Sequence, residues 1–197
     1  MNFINFDSST KQIFVGNILL VICCIFYLAW WLLAFKPVGA VKGIRTGWLL
    51  FPASAAGLAA VYLVLRGIGS APAKIPLYSP LLPGRYLLIG GIAAYLLLFV
   101  ITLLLLRRPV TSELFLIIGW AILALAEINV FYGTGRFLDH TAAIFIAVIA
   151  AAAIISLICY VLYYRLDSRA GYLDGMVPLL LAAVVTGAIA VRMMTAA

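Results

Sequence analysis

The sequence contains few charged residues. Only 10% of the 197 residues are Asp, Glu, Lys or Arg, whereas soluble domains average about 25%. Hydrophobic residues make up 67% of the chain, and the mean hydropathy is +1.24. A water-soluble fold cannot bury that much apolar surface, so the composition excludes a soluble domain and predicts an integral membrane protein.

Histidine and cysteine are also scarce. The chain has one His and three Cys, and Cys23, Cys24 and Cys159 all lie inside apolar runs. No CxxC or HExxH motif occurs, and the acidic residues are scattered along the chain. We therefore interpret the cysteines as packing residues, and we expect no disulfide framework, no metal site and no cofactor.

Basic residues outnumber acidic ones, 13 to 6, which gives a formal net charge of +7. They stand singly or in pairs at the ends of hydrophobic runs instead of following one face of a helix. This arrangement is typical of topology signals and contacts with lipid headgroups. It predicts membrane lipids as partners and argues against nucleic-acid binding.

Six hydrophobic runs, each bounded by charged residues, Pro or Gly, make up most of the chain. Each is long enough to cross a hydrocarbon core of about 30 Å as a helix. Lipid offers no partners to backbone N–H and C=O groups, so such runs must be helical. We predict an all-α, polytopic bundle forming a single transmembrane domain over 1–197, with spans at about 13–35, 47–65, 86–106, 114–132, 141–164 and 173–191.

Charge distribution and small residues predict how these spans are arranged. The odd-numbered connections hold seven basic residues against six on the other side, so the positive-inside rule places both termini outside. The short connections suit a bacterial inner membrane. Small residues are concentrated in 53–60 and 90–94, which predicts that the second and third spans pack closely at the centre of the bundle. The seven basic residues are Lys36, Lys42, Arg45, Arg107, Arg108, Arg165 and Arg169.

Glu127 is the one acidic residue deep within a predicted span, roughly 7 Å from the membrane midplane. A charged carboxylate at the centre of a span costs about 2.5–3.5 kcal/mol even on lenient insertion scales. It should therefore carry a proton, face water or have a partner. The sequence places six candidates for a shared ligand- or proton-binding site near it: Asn129, Tyr132, Arg136, Asp139, His140 and Arg192.

Two interpretations of Glu127 remain open. The structural one is a Glu127–Arg192 pair that ties two helices together. The functional one is a residue that handles protons or cations, or anchors a cationic ligand. Asp139 is expected to cap the following helix, because acidic residues are favoured at helix N-termini.

Three classes of function are compatible with these features. The leading hypothesis is a small transporter, permease component or channel-like protein with an ion or small molecule as substrate. The second is an intramembrane enzyme acting on a lipid or other amphiphile, which requires Glu127, Asp139 and His140 to converge on one cleft. The third is a non-catalytic subunit or ligand-binding receptor, working with a partner membrane subunit or as a homo-oligomer. No catalytic residue is assigned, and an enzyme is the less favoured class.

Overall fold

The computed structural model describes residues 7–35, 46–71 and 112–195, together with the single residues Ala93, Leu97 and Val100. Apart from those three positions, the predicted span 86–106 lies outside the described residues. So do five of the seven basic residues used to predict the orientation, namely Lys36, Lys42, Arg45, Arg107 and Arg108. Within the described ranges the regular secondary structure is helical throughout.

Six helices are described, and five stretches of chain are long and apolar enough to cross a membrane. This confirms the predicted transmembrane helical fold. The spans are Ser8–Ala34, Gly47–Ser70, Leu116–Gly133, Asp139–Leu162 and Ser168–Thr195. The helices are α1 (Ser8–Ala34), α2 (Leu50–Ser70), α3 (Ser112–Gly133), α4 (Asp139–Leu162), α5 (Ser168–Asp174) and α6 (Val177–Thr195), with 3₁₀ turns at Thr46–Leu49 and Tyr163–Arg165.

Helices α1 and α2 pack closely in antiparallel directions, and glycines allow the close approach. A Cβ added to Gly16 of α1 would lie 2.5 Å from Cγ2 of Val64, and one added to Gly67 of α2 would lie 2.8 Å from the carbonyl oxygen of Ser9. Both distances are too short for real side chains, so each glycine is needed where the two backbones meet.

The helix ends fall into two groups. Asp7, before α1, forms an ion pair with Arg136, which lies in the turn between α3 and α4. Gly67, near the end of α2, contacts α1 close to Ser9. We call this the amino-terminal end of the bundle. Helix α6 runs antiparallel to α1, so Thr195 lies at the amino-terminal end as well.

The opposite end is held by aromatic residues. Trp31 Nε1 donates a hydrogen bond to the Tyr172 carbonyl at 3.1 Å, and the Tyr172 hydroxyl donates to the Leu32 carbonyl at 3.3 Å. The edge of the Trp31 ring packs directly on Gly175. These contacts fix α5, whose first turn is capped by the Asp167 carboxylate, against the end of α1.

Polar residues lie inside the bundle and large apolar residues cover its outside. Asn17, Glu127 and Thr186 are buried, whereas isoleucine, leucine, valine and phenylalanine side chains project outward from every long helix. Such a surface suits lipid, because a bilayer removes the penalty for exposing apolar groups. Outward residues include Ile18, Ile25, Phe51, Leu58, Ile144, Ile154, Val184 and Val191.

Candidate intramembrane polar site

Glu127 lies in α3, the most deeply buried of the five candidate spans. Its side chain is 1% exposed. Asn17 of α1 is equally buried, and its Nδ2 donates a hydrogen bond to Glu127 Oε2 at 2.6 Å. The contact joins residues 110 positions apart in the chain. A carboxylate and a neutral amide therefore form a short hydrogen bond between α1 and α3.

A second polar contact lies two helical turns from the first. Trp120 of α3 donates from Nε1 to the Thr186 hydroxyl of α6 at 2.9 Å, and Thr186 is 2% exposed. Trp120 precedes Glu127 by seven residues, a rise of about 10 Å toward the opposite end of the bundle. Polar atoms of α1, α3 and α6 therefore occur at two levels in the interior.

The surroundings of the Asn17–Glu127 pair are apolar. Ile13, Ile128 and Phe131 belong to a single buried cluster, to which α4 and α6 also contribute Ile149 and Ile189. In such a low-dielectric environment a hydrogen bond is strengthened and an unsatisfied charge is costly. Within the described ranges no Lys, Arg or His forms a salt bridge with Glu127, and the ion pair found there joins Arg136 to Asp7.

The two arginines predicted near Glu127 have other partners. Arg192 Nη1 donates to the Thr195 hydroxyl at 3.1 Å in the last turn of α6. Arg136 donates from Nη2 to Asp7 Oδ1 at 3.1 Å. The structure thus pairs Glu127 with Asn17 and leaves both guanidinium groups at the amino-terminal end, where they can remain hydrated.

The remaining predicted site residues lie around the start of α4. Tyr132 is half-buried and lies near the Asp139 carboxylate. Asp139 is the first residue of α4, whereas Leu138 occupies the capping position, so Asp139 is one residue beyond the predicted cap. His140 is exposed, and Asn129 is 8% exposed on α3.

These positions bear on the enzyme hypothesis, which required three side chains to meet. Glu127 is hydrogen-bonded to Asn17 inside the bundle, whereas Asp139 and His140 are exposed. The described residues therefore do not bring the three groups together. Nor do they contain any group of three or more His, Cys, Asp or Glu side chains arranged to hold a metal ion.

Asn17 is the residue of the site that the sequence analysis did not assign. Its signal is the presence of an amide side chain in an otherwise apolar span, because such a group requires a partner inside the bundle. Comparison of the chain with protein-family models, with curated proteins and with solved structures found no match. What is shown is a multi-pass helical membrane protein with a buried carboxylate–amide pair.

Proposed function

We propose that this protein is a small membrane transporter in which the Asn17–Glu127 pair takes up and releases a proton or a small monovalent cation. The observation that carries the proposal is the buried carboxylate of Glu127, hydrogen-bonded at 2.6 Å to a neutral amide. The location proposed with this function is a bacterial inner membrane.

The chemistry of the amide supports exchange at this site. Asn17 Nδ2 donates to the carboxylate, and a rotation of the amide by about 180° would present Oδ1 as an acceptor for the protonated acid. An arginine partner could donate but never accept. The pair can therefore keep a hydrogen bond in both protonation states, whereas a guanidinium clamp would stabilise only the charged state.

A purely structural role would not require an acid at position 127. If the pair served only to tie α1 to α3, a neutral glutamine would provide the same hydrogen bond without the cost of an acid in the membrane. The substitution Glu127→Gln therefore separates the two roles, because it keeps size and hydrogen bonding but removes the exchangeable proton and the charge.

Flux measurements on the full chain test the proposal. Liposomes containing the protein and internal pyranine are given an inside-negative potential with valinomycin, and internal pH is followed; a parallel set carries a Na⁺ indicator. We expect a flux of H⁺ or Na⁺ about tenfold above protein-free liposomes, reduced to background by Glu127→Gln. The matched control is Asp167→Asn, an acid-to-amide change that preserves helix capping and should leave the flux unchanged.

Either of two results would contradict the proposal. One is a flux that is unaffected by Glu127→Gln, which would leave the carboxylate as a structural group. The other is the absence of both H⁺ and Na⁺ flux above protein-free liposomes, with the protein shown to be folded and incorporated.

A further inference from the structure

The turn between α3 and α4 folds back over the end of α3. Gly135 adopts φ +72°, a conformation that other residues rarely accept. The next two N–H groups, of Arg136 and Phe137, both donate to the Phe131 carbonyl, at 2.9 and 3.1 Å. Phe131 follows Glu127 by one helical turn, about 6 Å closer to the amino-terminal end. The turn is therefore attached to the helical turn of α3 that follows Glu127.

Aromatic side chains fill the space beneath this turn. Phe137 is 2% exposed, and its ring centroid lies 5.3 Å from that of Phe131 and 5.6 Å from that of Phe145 on α4. Ile13 of α1 belongs to the same buried cluster. We call residues 134–138 the lid. Along the helix axes, Ile13 and Phe131 each lie one turn nearer the amino-terminal end than Asn17 and Glu127, and Phe137 packs against Phe131.

An ion pair fastens the lid to α1, the helix that carries Asn17. Arg136 Nη2 lies 3.1 Å from Asp7 Oδ1, and the Ser9 hydroxyl donates a hydrogen bond to Asp7 Oδ2. Partial burial opposes ionisation of Asp7, but stabilisation by the neighbouring Ser9 and Thr10 groups and by the Arg136 charge outweighs it and holds the pKa of Asp7 below its usual 3.8. The ion pair is therefore present at neutral pH and is lost only as the pH falls through that lowered value.

We propose that the lid closes the amino-terminal route to the Asn17–Glu127 pair and that the Asp7–Arg136 ion pair holds it shut. Opening requires the ion pair to break and residues 134–138 to move Phe137 away from Phe131. Toward the opposite end, the Trp120–Thr186 hydrogen bond lies across the same interior. The inference rests on the proposed function only for the identity of the ion that enters.

Access to the interior can be measured without measuring transport. The native cysteines are first removed with Cys23→Ala, Cys24→Ala and Cys159→Ser. A single cysteine is then introduced by Ala124→Cys, about one helical turn from Glu127 on the side away from the lid. The full chain is placed in lipid nanodiscs, where both ends of the bundle face the charged methanethiosulfonate reagent MTSET. Mass spectrometry then follows the labelling rate.

The lid predicts a specific pattern of rates. Asp7→Asn and Arg136→Gln should each speed labelling about threefold, the factor expected for loss of a partly exposed ion pair. Exchanging the charges, with Asp7→Arg and Arg136→Asp together, should restore the slow rate. Arg192→Gln, at the same end of the bundle, should have no effect. Ala53→Cys, which is buried on α2 and lies outside the buried cluster of Phe137 and Ala124, should label slowly in every variant.

Two outcomes would overturn the lid. One is an Ala124→Cys labelling rate that neither Asp7→Asn nor Arg136→Gln changes. The other is a parallel acceleration at Ala53→Cys, which would show general loosening of the bundle. The lid and the transport proposal fail separately. A labelling rate that responds to the ion pair without any Glu127-dependent flux refutes only the transport proposal, and a Glu127-dependent flux with labelling that ignores the ion pair refutes only the lid.

Discussion

At the scale of single residues, the free energy of the site depends on Asn17 and Glu127 being present together. Removing the amide with Asn17→Leu leaves a buried carboxylate without its donor, so we expect a loss of about 1–2 kcal/mol in the free energy of unfolding. The measurement is reversible unfolding of the full chain in mixed detergent–SDS micelles.

The matched variants form a double-mutant cycle. Glu127→Met removes the acid at similar volume, and the double variant with Asn17→Leu replaces both polar partners by apolar groups. We expect the double variant to lose less than the sum of the two single losses, with a coupling of about 1 kcal/mol. Strictly additive losses would mean that the 2.6 Å hydrogen bond contributes nothing to stability.

Glu127 was predictable as a buried polar residue, but its partner was not. An acid in a 22-residue apolar helix must be satisfied somewhere, and that requirement can be read from one helix alone. Choosing between Asn17 and Arg192 requires knowing which helices touch and where each side chain points. Arg192 is long enough to reach water from the last turn of α6, so it has no need of an internal partner.

At the scale of helices, hydropathy predicted the spans but not all of their ends. Helix α1 begins at Ser8 instead of near residue 13, because a polar turn continues the helix beyond its apolar part. The short helix α5 lies at the edge of the last predicted span and was not foreseen, since its stability comes from the Asp167 cap and from contacts with Trp31 and Leu32. Local composition does not encode such tertiary contacts.

The small residues of α2 were expected at the centre of the bundle, and the structure gives them a narrower role. Ala53, Ala60 and Gly67 are buried and recur every seventh residue, but Phe51, Leu58 and Leu65 on the same helix are exposed. One face of α2 therefore packs, mainly on α1. Among the described helices, α1 contacts α2, α3 and α6, and α3 contacts α1, α2, α4 and α6.

This interface yields a prediction with a control in the same helix. Gly67→Ala would place its Cβ 2.6 Å from Ile13 Cγ1 and 2.8 Å from the Ser9 carbonyl oxygen, so α1 and α2 must separate. We expect it to lower the free energy of unfolding by about 1–3 kcal/mol. Gly69→Ala, two residues later, meets nothing within 4 Å and should leave stability unchanged or slightly raised. Equal stability of the two variants in mixed micelles would argue against the close α1–α2 contact.

At the scale of the whole molecule, the two ends of the bundle differ in chemistry. The amino-terminal end carries the Asp7–Arg136 pair and exposed Asp139 and His140, whereas the opposite end carries an aromatic cluster around Trp31 with Arg165 and Arg169 nearby. Aromatic residues are enriched at both membrane–water interfaces, so the aromatic cluster does not assign a side. Of the described basic residues, four lie at the amino-terminal end, namely Lys11, Arg66, Arg136 and Arg192, and Arg165 and Arg169 lie at the opposite end. The orientation therefore stays a prediction from the charge count over the whole sequence.

The charge count over the whole sequence predicts the orientation of the chain in a membrane, and the two ends of the bundle supply the positions that test it. In the cysteine-free background, Thr134→Cys in the lid and Ser168→Cys at the start of α5 lie at opposite ends of the bundle. An impermeant maleimide added outside intact cells should label Thr134→Cys, and in inverted vesicles it should label Ser168→Cys. Tags at both chain termini should be reached from the same side as Thr134→Cys.

Reaction of the two cysteines from one side would contradict the antiparallel bundle. Labelling with the sides exchanged would keep the bundle but reverse the positive-inside assignment, and the lid would then control access from the cytoplasm.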